Sequence, residues 1–482
     1  MQHPAGANVP LLLALSSLGA VLAPLNSTMV AVALPEIRHE FSLSHGAVGW
    51  LISGYLIAMA VAQPIGGRLG DQVGRVRVYR GGLLAFLVFS IATAFAPNFL
   101  LLVALRIAQA VAGAVLIPNG LALLRTHAPP GQLGRLNGIN GAVLSFAAAA
   151  GPLVGAATLA VGSWRWLFPL SVPFVLLALV LLRQLEVQPE ERPPRTPIDW
   201  PGTTMFVALL AAVTLQLGAL RGAAGGLEST VRWLVVAAVA AAFVWRQRAT
   251  TSPAAEWRLF KVRSFAAATA YILLTNLTMY TTLLMIPFFV REVQGKSTGV
   301  AGLLLGAMSV LVAITAPFGG WLSDAWGRRP AALAGGVLML IGAAVLLAGL
   351  SRTVSAGYLA ACLAVLGLGL GLGAGAANTA AVESAPRSLA GSAAGTSSMM
   401  RYVGSILGAG ILAGVLTDGA AGDGDVTTFR LVTVAVVVTA ALSVVAAMFI
   451  HRFVAPEAIP VHSEHEGVSL FPAAEPRELA TE

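Results

Sequence analysis

The chain of 482 residues has one cysteine, two lysines and few charges of either sign. A lone Cys362 excludes an internal disulfide, and inside an apolar run it reads as a small core residue. Charged residues make up 10% of the chain, where soluble domains carry about 25%. That excludes the two or three soluble domains the length alone would allow. No G-x-x-x-x-G-K-[ST] occurs, so the chain encodes no nucleotide site of that kind, and ATP-driven transport would need a partner. Carboxylates, histidines and cysteines nowhere converge near the membrane as an enzyme site requires, so the chain is read as a non-enzyme without cofactor or metal. The start, "MQHPAGANVPLLLALSS", lacks a basic region and a convincing cleavage site, so the first apolar run is read as a retained span. The formal charge of +8 raises nucleic acid as a partner. The basic residues, mostly arginine, are scattered between apolar runs, and they read as topology signals instead.

What the chain has is hydrocarbon: 57% hydrophobic residues and a mean hydropathy of +0.83. Runs of about 20 apolar residues cross a bilayer core as helices. Fourteen are expected, near 11–34, 47–66, 78–97, 99–122, 137–160, 165–184, 202–220, 231–247, 265–290, 300–320, 331–350, 355–379, 396–416 and 428–450. The arginine-rich stretches "GRVRVYR", "LLRQLEVQPEERPPR", "WRQR", "WRLFKVR" and "WGRR" fall in alternate connections. The positive-inside rule then places both termini of a multi-pass cell-membrane protein in the cytoplasm.

One segment recurs: "GGRLGDQVGR" (66–75) follows the second run and "GGWLSDAWGR" (319–328) the tenth. Copies eight spans apart fit two six-helix halves separated by an extra pair, a common construction for secondary transporters. The expected organisation is a first half at 1–185, a linker and two extra helices at 186–262, a second half at 263–454 and a polar, disordered tail at 455–482. The tail's "HSEHE" is read as solvated and not as a metal site. Asp71 and Asp324 can pair with nearby arginines and cap a neighbouring helix N-terminus. Gly74 and Gly327 permit a tight turn.

These residues resemble the major facilitator superfamily, in its fourteen-span drug:proton antiporter family, over all but the tail. The resemblance implies an all-α membrane fold with two pseudo-symmetric six-helix halves. It makes the repeated segment a latch between conformations, formed by Gly67, Asp71, Gly74 and Arg75 and again by Gly320, Asp324, Gly327 and Arg328. "LVALRIAQAVAG" is similar to the family's second motif, with Arg106 and Gln109 in place and Ala110 for a usual glycine. "AAAAGPLVGA" resembles the antiporter motif at Gly151, Pro152 and Gly155, with Ala147 and Ala156 for glycines; a structural kink explains it equally well. "SWRWLF" and "IDWPG" resemble further marks of the fourteen-span family. In "GLGLGLGAG" (367–375), Gly367, Gly371 and Gly375 fall on one face suited to close packing.

The family's first-span motif carries an aspartate, taken to bear the coupling proton, where this chain has Asn26 within "LNSTMVAVALP". No Asp, Glu or His lies mid-span elsewhere. Coupling or substrate candidates are Asn26, Thr28, Tyr55, Arg106, Gln109, Asn276 and Tyr280, with Gln63, Asn119, Tyr271 and Met279 as further cavity candidates. Asn26 and Arg106 each lie about eight residues, roughly 12 Å, from the outer end, and are expected to interact. An amide there leaves the guanidinium uncompensated, favouring neutral, zwitterionic or anionic substrates. The leading expectation is a monomeric secondary exporter of drugs or other small lipophilic molecules, working by alternating access among membrane lipids, with protons an open coupling ion. The alternatives are a lipid or dedicated-metabolite exporter or facilitator without the usual coupling and, behind these, a membrane enzyme or a scaffold.

Overall fold

A computed structural model of the chain describes residues 9–127, 133–185, 199–218, 227–250, 257–385, 389–415 and 426–452. The tail with its "HSEHE", and the linker residues 186–198, lie outside the described residues. Among those described, every regular element is a helix. In chain order they are α1 (Val9–Glu40), α2 (His45–Val73), α3 (Arg75–Ala94), α4 (Phe99–Ala114), α5 (Leu116–His127), α6 (Leu133–Val161), α7 (Val172–Arg183), α8 (Trp200–Gly218) and α9 (Leu227–Ala249). There follow α10 (Arg263–Phe288), α11 (Thr298–Trp326), α12 (Arg328–Gly349), α13 (Ala356–Glu383), α14 (Ala390–Val415) and α15 (Val426–Met448).

Backbone groups in lipid must be satisfied within the segment, which is why apolar runs of this length become helices. Among the described residues thirteen spans meet the length and apolarity for a crossing, against fourteen expected, and Phe146–Val161 within α6 is a shorter apolar helix. The expected fourth run is one span made of α4 and α5, broken at Val115. Pro118, in the first turn of α5, has no N–H for the carbonyl of Ala114, and its ring crowds that carbonyl.

The helices overrun the apolar runs at one end. Residues 66–73 and 319–326 of the repeated segment are not loop but the last turns of α2 and α11. Nothing in "GGRLGDQV" or "GGWLSDAW" forces an exit, so the helix continues until Gly74 and Gly327. There φ reaches 110° and 102°, in the left-handed region open to glycine. We call this end of the bundle the latch end, and the opposite end the far end.

Helices α1 to α7 pack mainly on one another, as do α10 to α15. The two groups meet along α6–α11, α2–α14 and α1–α10. The seam is close because its residues are small. A methyl on Gly151 would sit 1.8 Å from Thr28 Oγ1, and one on Gly302 would sit 2.0 Å from Ala156 Cβ, so α6 lies wedged between α1 and α11. The glycines of α13 act likewise: Gly367 and Gly371 face α11, while Gly369 and Gly373 face α12 and α10. Helix α8 packs on α9, α14 and α2, whereas α9 keeps only 11% of its apolar window inside the protein.

Candidate functional site

Arg106 of α4 is fully buried. Its Nη1 donates to Gln109 Oε1 at 2.7 Å and reaches Asn26 Oδ1 at 3.4 Å; its Nη2 lies 3.4 Å from the Asn26 carbonyl. The guanidinium lies over the rings of Tyr55 (4.1 Å) and Phe168 (5.5 Å), where the π quadrupole attracts a cation. Gln109 is oriented in turn, its Nε2 donating to Ser90 Oγ at 2.6 Å. Tyr55 donates to the Ala23 carbonyl at 3.1 Å. Arg106 Nε and Asn26 Nδ2 are buried with no hydrogen-bond partner among the described residues. A snorkelling arginine would keep its head in water; this one is enclosed.

The cluster continues across the seam. Ser27 of α1 shares a hydrogen bond of 3.0 Å with Tyr280 of α10. Tyr280 stands within electrostatic reach of Arg106 and also of Arg401 on α14. Arg401, half-buried, donates to Asn378 Oδ1 at 2.8 Å, and its neighbour Tyr402 lies within reach of the Gln63 side chain of α2. Neither arginine has a salt-bridge partner among the described residues.

Two of the expected candidates stand apart. Thr28 Oγ1 bonds its own helix at the Pro24 carbonyl (2.9 Å) and packs against Gly151. Asn276 Nδ2 likewise bonds the Ile272 carbonyl at 2.8 Å. Asn119 fastens α5 to α2 through the Gly66 carbonyl at 2.9 Å. Tyr271 is a buried packing residue against Gly373.

At the latch end, Asp71 accepts from Arg75 Nε and Nη2 at 3.2 and 3.1 Å, and Asp324 accepts from Arg328. Arg328 also grips Glu383 of α13 through two hydrogen bonds of 3.0 and 2.7 Å. Among the described residues the aspartates bond Arg75 and Arg328 side chains instead of capping the backbone of α3 and α12. Side chains on a helix tilt toward its N-terminus, so Asp71 and Asp324 lean back along α2 and α11, and the long arginines reach them instead. Gly67 and Gly320 are not tightly enclosed; a methyl would meet Pro118 at 3.5 Å at the first and nothing within 4 Å at the second.

The far end carries a clasp between the groups. Glu292 of the second group accepts from Arg38 Nη1 at 2.9 Å and lies 3.0 and 3.1 Å from Nε2 of the buried His45. Thr298 donates to Glu36 at 2.6 Å. Glu292 sits in a π-turn, Phe289–Val293, that continues α10. Apart from all these sites, an apolar cavity of about 210 Å³ lies between α8, α9 and α14, walled by Phe206, Phe243, Trp257, Met399 and Ile406 among others.

The Major Facilitator Superfamily model matches residues 16–409 and 272–478. The chain belongs to the major facilitator superfamily. The multidrug resistance protein Stp of Mycobacterium tuberculosis is 31% identical over 406 residues, which cover 83% of this chain and 74% of that protein. The tetracenomycin C resistance and export protein of Streptomyces glaucescens is 30% identical over 419 residues, 86% of this chain and 77% of that one. Among solved structures, a D-xylose-proton symporter matches with a TM-score of 0.64 at 16% identity, covering 93% of this chain and 98% of that one. This likeness shows the major facilitator fold alone.

For a major facilitator protein, sequence reasoning brings together Asn26, Tyr55, Arg106, Gln109 and Tyr280, but it misses Arg401, Asn378 and the His45–Glu292 clasp. Arg401 carries the same signal as Arg106, a cation inside an apolar run. His45 and Glu292 lie at helix ends, where charge is unremarkable in a sequence; only the fold sets them face to face.

Proposed function

We propose that the protein is a secondary exporter of small lipophilic molecules, working by alternating access in the cell membrane with its latch end and both termini in the cytoplasm. The observation that carries this reading is the clasp of Arg38 and His45 on Glu292, which ties the groups at the far end, beyond a central polar cluster built from both groups. The state described is then closed toward the exterior. The latch residues meanwhile hold ion pairs inside their own groups, Asp71 with Arg75 and Asp324 and Glu383 with Arg328. Export requires the clasp to part and the latch segments to approach. Moving a two-state equilibrium from 1:99 to 99:1 takes about 5.5 kcal/mol, a scale that a few half-buried ion pairs and a bound substrate reach together.

Relatives named for drug resistance and export support the direction, and the alternation of arginine-rich connections supports the orientation. The carboxylates available to carry a coupling proton are those of the clasp and the latch, because Asn26 cannot titrate. The test is growth of a host stripped of its main exporters, across a panel of toxic compounds. Expression should raise tolerance to at least one lipophilic compound and lower its accumulation in the cell. Tolerance and accumulation unchanged across the panel, with the protein present in the membrane, would sink the reading.

A further inference from the structure

Arg106 and Arg401 come from opposite groups, both act electrostatically on Tyr280, and among the described residues neither pairs with a carboxylate. Neutral acceptors, Gln109 and Asn26 for one and Asn378 for the other, satisfy some of their N–H groups but cancel no charge. A charge held away from water, as on Arg106, is costly unless it is paired. Two that reach the same tyrosine also repel each other. No acidic residue of the chain can relieve them from within a span, since none of the 21 lies mid-span. Arg106 Nε, Arg401 Nε and Asn26 Nδ2 remain as buried donors with no partner among the described residues. All the leftover groups are donors, which is the complement of an anion.

We propose that this cluster is the headgroup site of the exporter, and that it takes an organic anion with an apolar body. A carboxylate, sulfonate or phenolate oxygen accepts from Arg401 and Tyr280, while the enclosed Arg106 adds its field from behind. The apolar body lies against the partly buried Ala58, Ile117 and Tyr402, which pack over the buried Ala23, Tyr55 and Met59. Such a ligand bridges the two groups, because Arg106 belongs to one and Arg401 to the other. The inference rests on the exporter reading for its physiological meaning, but the site can be tested by binding alone.

The test uses the full chain in lipid nanodiscs and two probes of equal body and opposite charge, 1-pyrenebutyrate and 1-pyrenebutylammonium. Binding is read by equilibrium dialysis against protein-free nanodiscs, and transport of both probes by everted membrane vesicles. Pyrenebutyrate should bind at least about tenfold more tightly than the ammonium probe, the scale of one charge-assisted hydrogen bond. Arg401→Gln should remove most of that difference, and Arg401→Lys should keep part of it. Should Arg401→Gln not fold, Asn26→Asp serves: a carboxylate against Arg106 should weaken the anion and strengthen the cation, a reversal that mere loosening does not produce. Equal binding of the two probes, tighter binding of the ammonium, no binding of the anion, or an anion affinity unmoved by both variants overturns the proposal. Anion binding without transport of either probe counts against the exporter reading and leaves the site standing.

Discussion

A methyl group added at Gly151 would meet Thr28 Oγ1 at 1.8 Å and Met29 N at 3.0 Å. Overpacking of this kind costs about 1–3 kcal/mol, so Gly151→Ala should lower the thermal stability of the purified protein. Thr28→Ala in the same chain should recover part of the loss. A double variant no better than the single one, in thermal unfolding of the detergent-solubilised protein, would show that α1 and α6 do not meet here. The residue scale also shows what a sequence can and cannot betray. Asn26, Tyr55, Arg106, Gln109 and Tyr280 are legible because polar groups in hydrocarbon need partners or tasks. Thr28 and Asn276 give the same signal and stand apart from the cluster, since each finds a carbonyl four residues back on its own helix. A polar residue in a span therefore points to a partner, and the partner is sometimes the helix itself. Arg401 becomes meaningful only once α13 brings Asn378 to it.

Single helices are joined at their ends by ion pairs, and two of these make predictions. Glu292 accepts from Arg38 and faces the Nε2 of His45 at the far end. Glu292→Gln should loosen the clasp, worth about tenfold in exposure of the far end if roughly 1.4 kcal/mol is lost. Labelling of Ala301→Cys, buried at the far end of α11, measures this with an impermeant thiol reagent in a Cys362→Ala background. An unchanged labelling rate would remove the clasp from the mechanism. The second pair is Asp199 with Arg246, which fastens the start of α8 to the end of α9 at 2.8 Å. Burial pushes the Asp199 carboxyl up, but hydrogen bonds from Arg246 and the Gly202 N–H, with the Arg246 charge, outweigh it and hold the carboxyl below its ordinary value. A depressed carboxylate stabilises above its ordinary range, and that stabilisation fades as pH falls through the lowered value. Asp199→Asn should therefore lower the melting temperature at neutral pH, with the gap to the parent narrowing on acidification. A gap constant with pH would mean that the pair contributes packing and not charge. At this scale the sequence conveys the existence of helices better than their ends. Hydropathy stops near residue 66 in α2, yet hydrogen bonding carries the helix on to Val73 because only Gly74 breaks it.

For the molecule as a whole, the topology is open to direct labelling. In a Cys362-free background, cysteines at Gly225 and Gly422 should react with an impermeant reagent applied to intact cells, and cysteines at Pro193 and Ala474 should not. Reaction at Pro193 would overturn the orientation. The all-helical fold and the placing of the apolar spans were legible from run length, because bilayer thickness imposes one length on every crossing. Which helix lies beside which was not: Gly302 and Ala156 each announce a close neighbour, but smallness carries no address. The state of the transporter was equally hidden, since one sequence encodes both ends of the cycle. The packing also partitions the chain by tolerance to change. Helix α13 presses glycines on α10, α11 and α12, and α9 turns most of its surface outward. In a randomly mutagenised population, α13 should stay nearly monotonous while α9 diversifies. Lineages selected on new compounds would accumulate their changes on α1, α2, α4, α10 and α14, so a record of laboratory adaptation would trace the substrate path by itself.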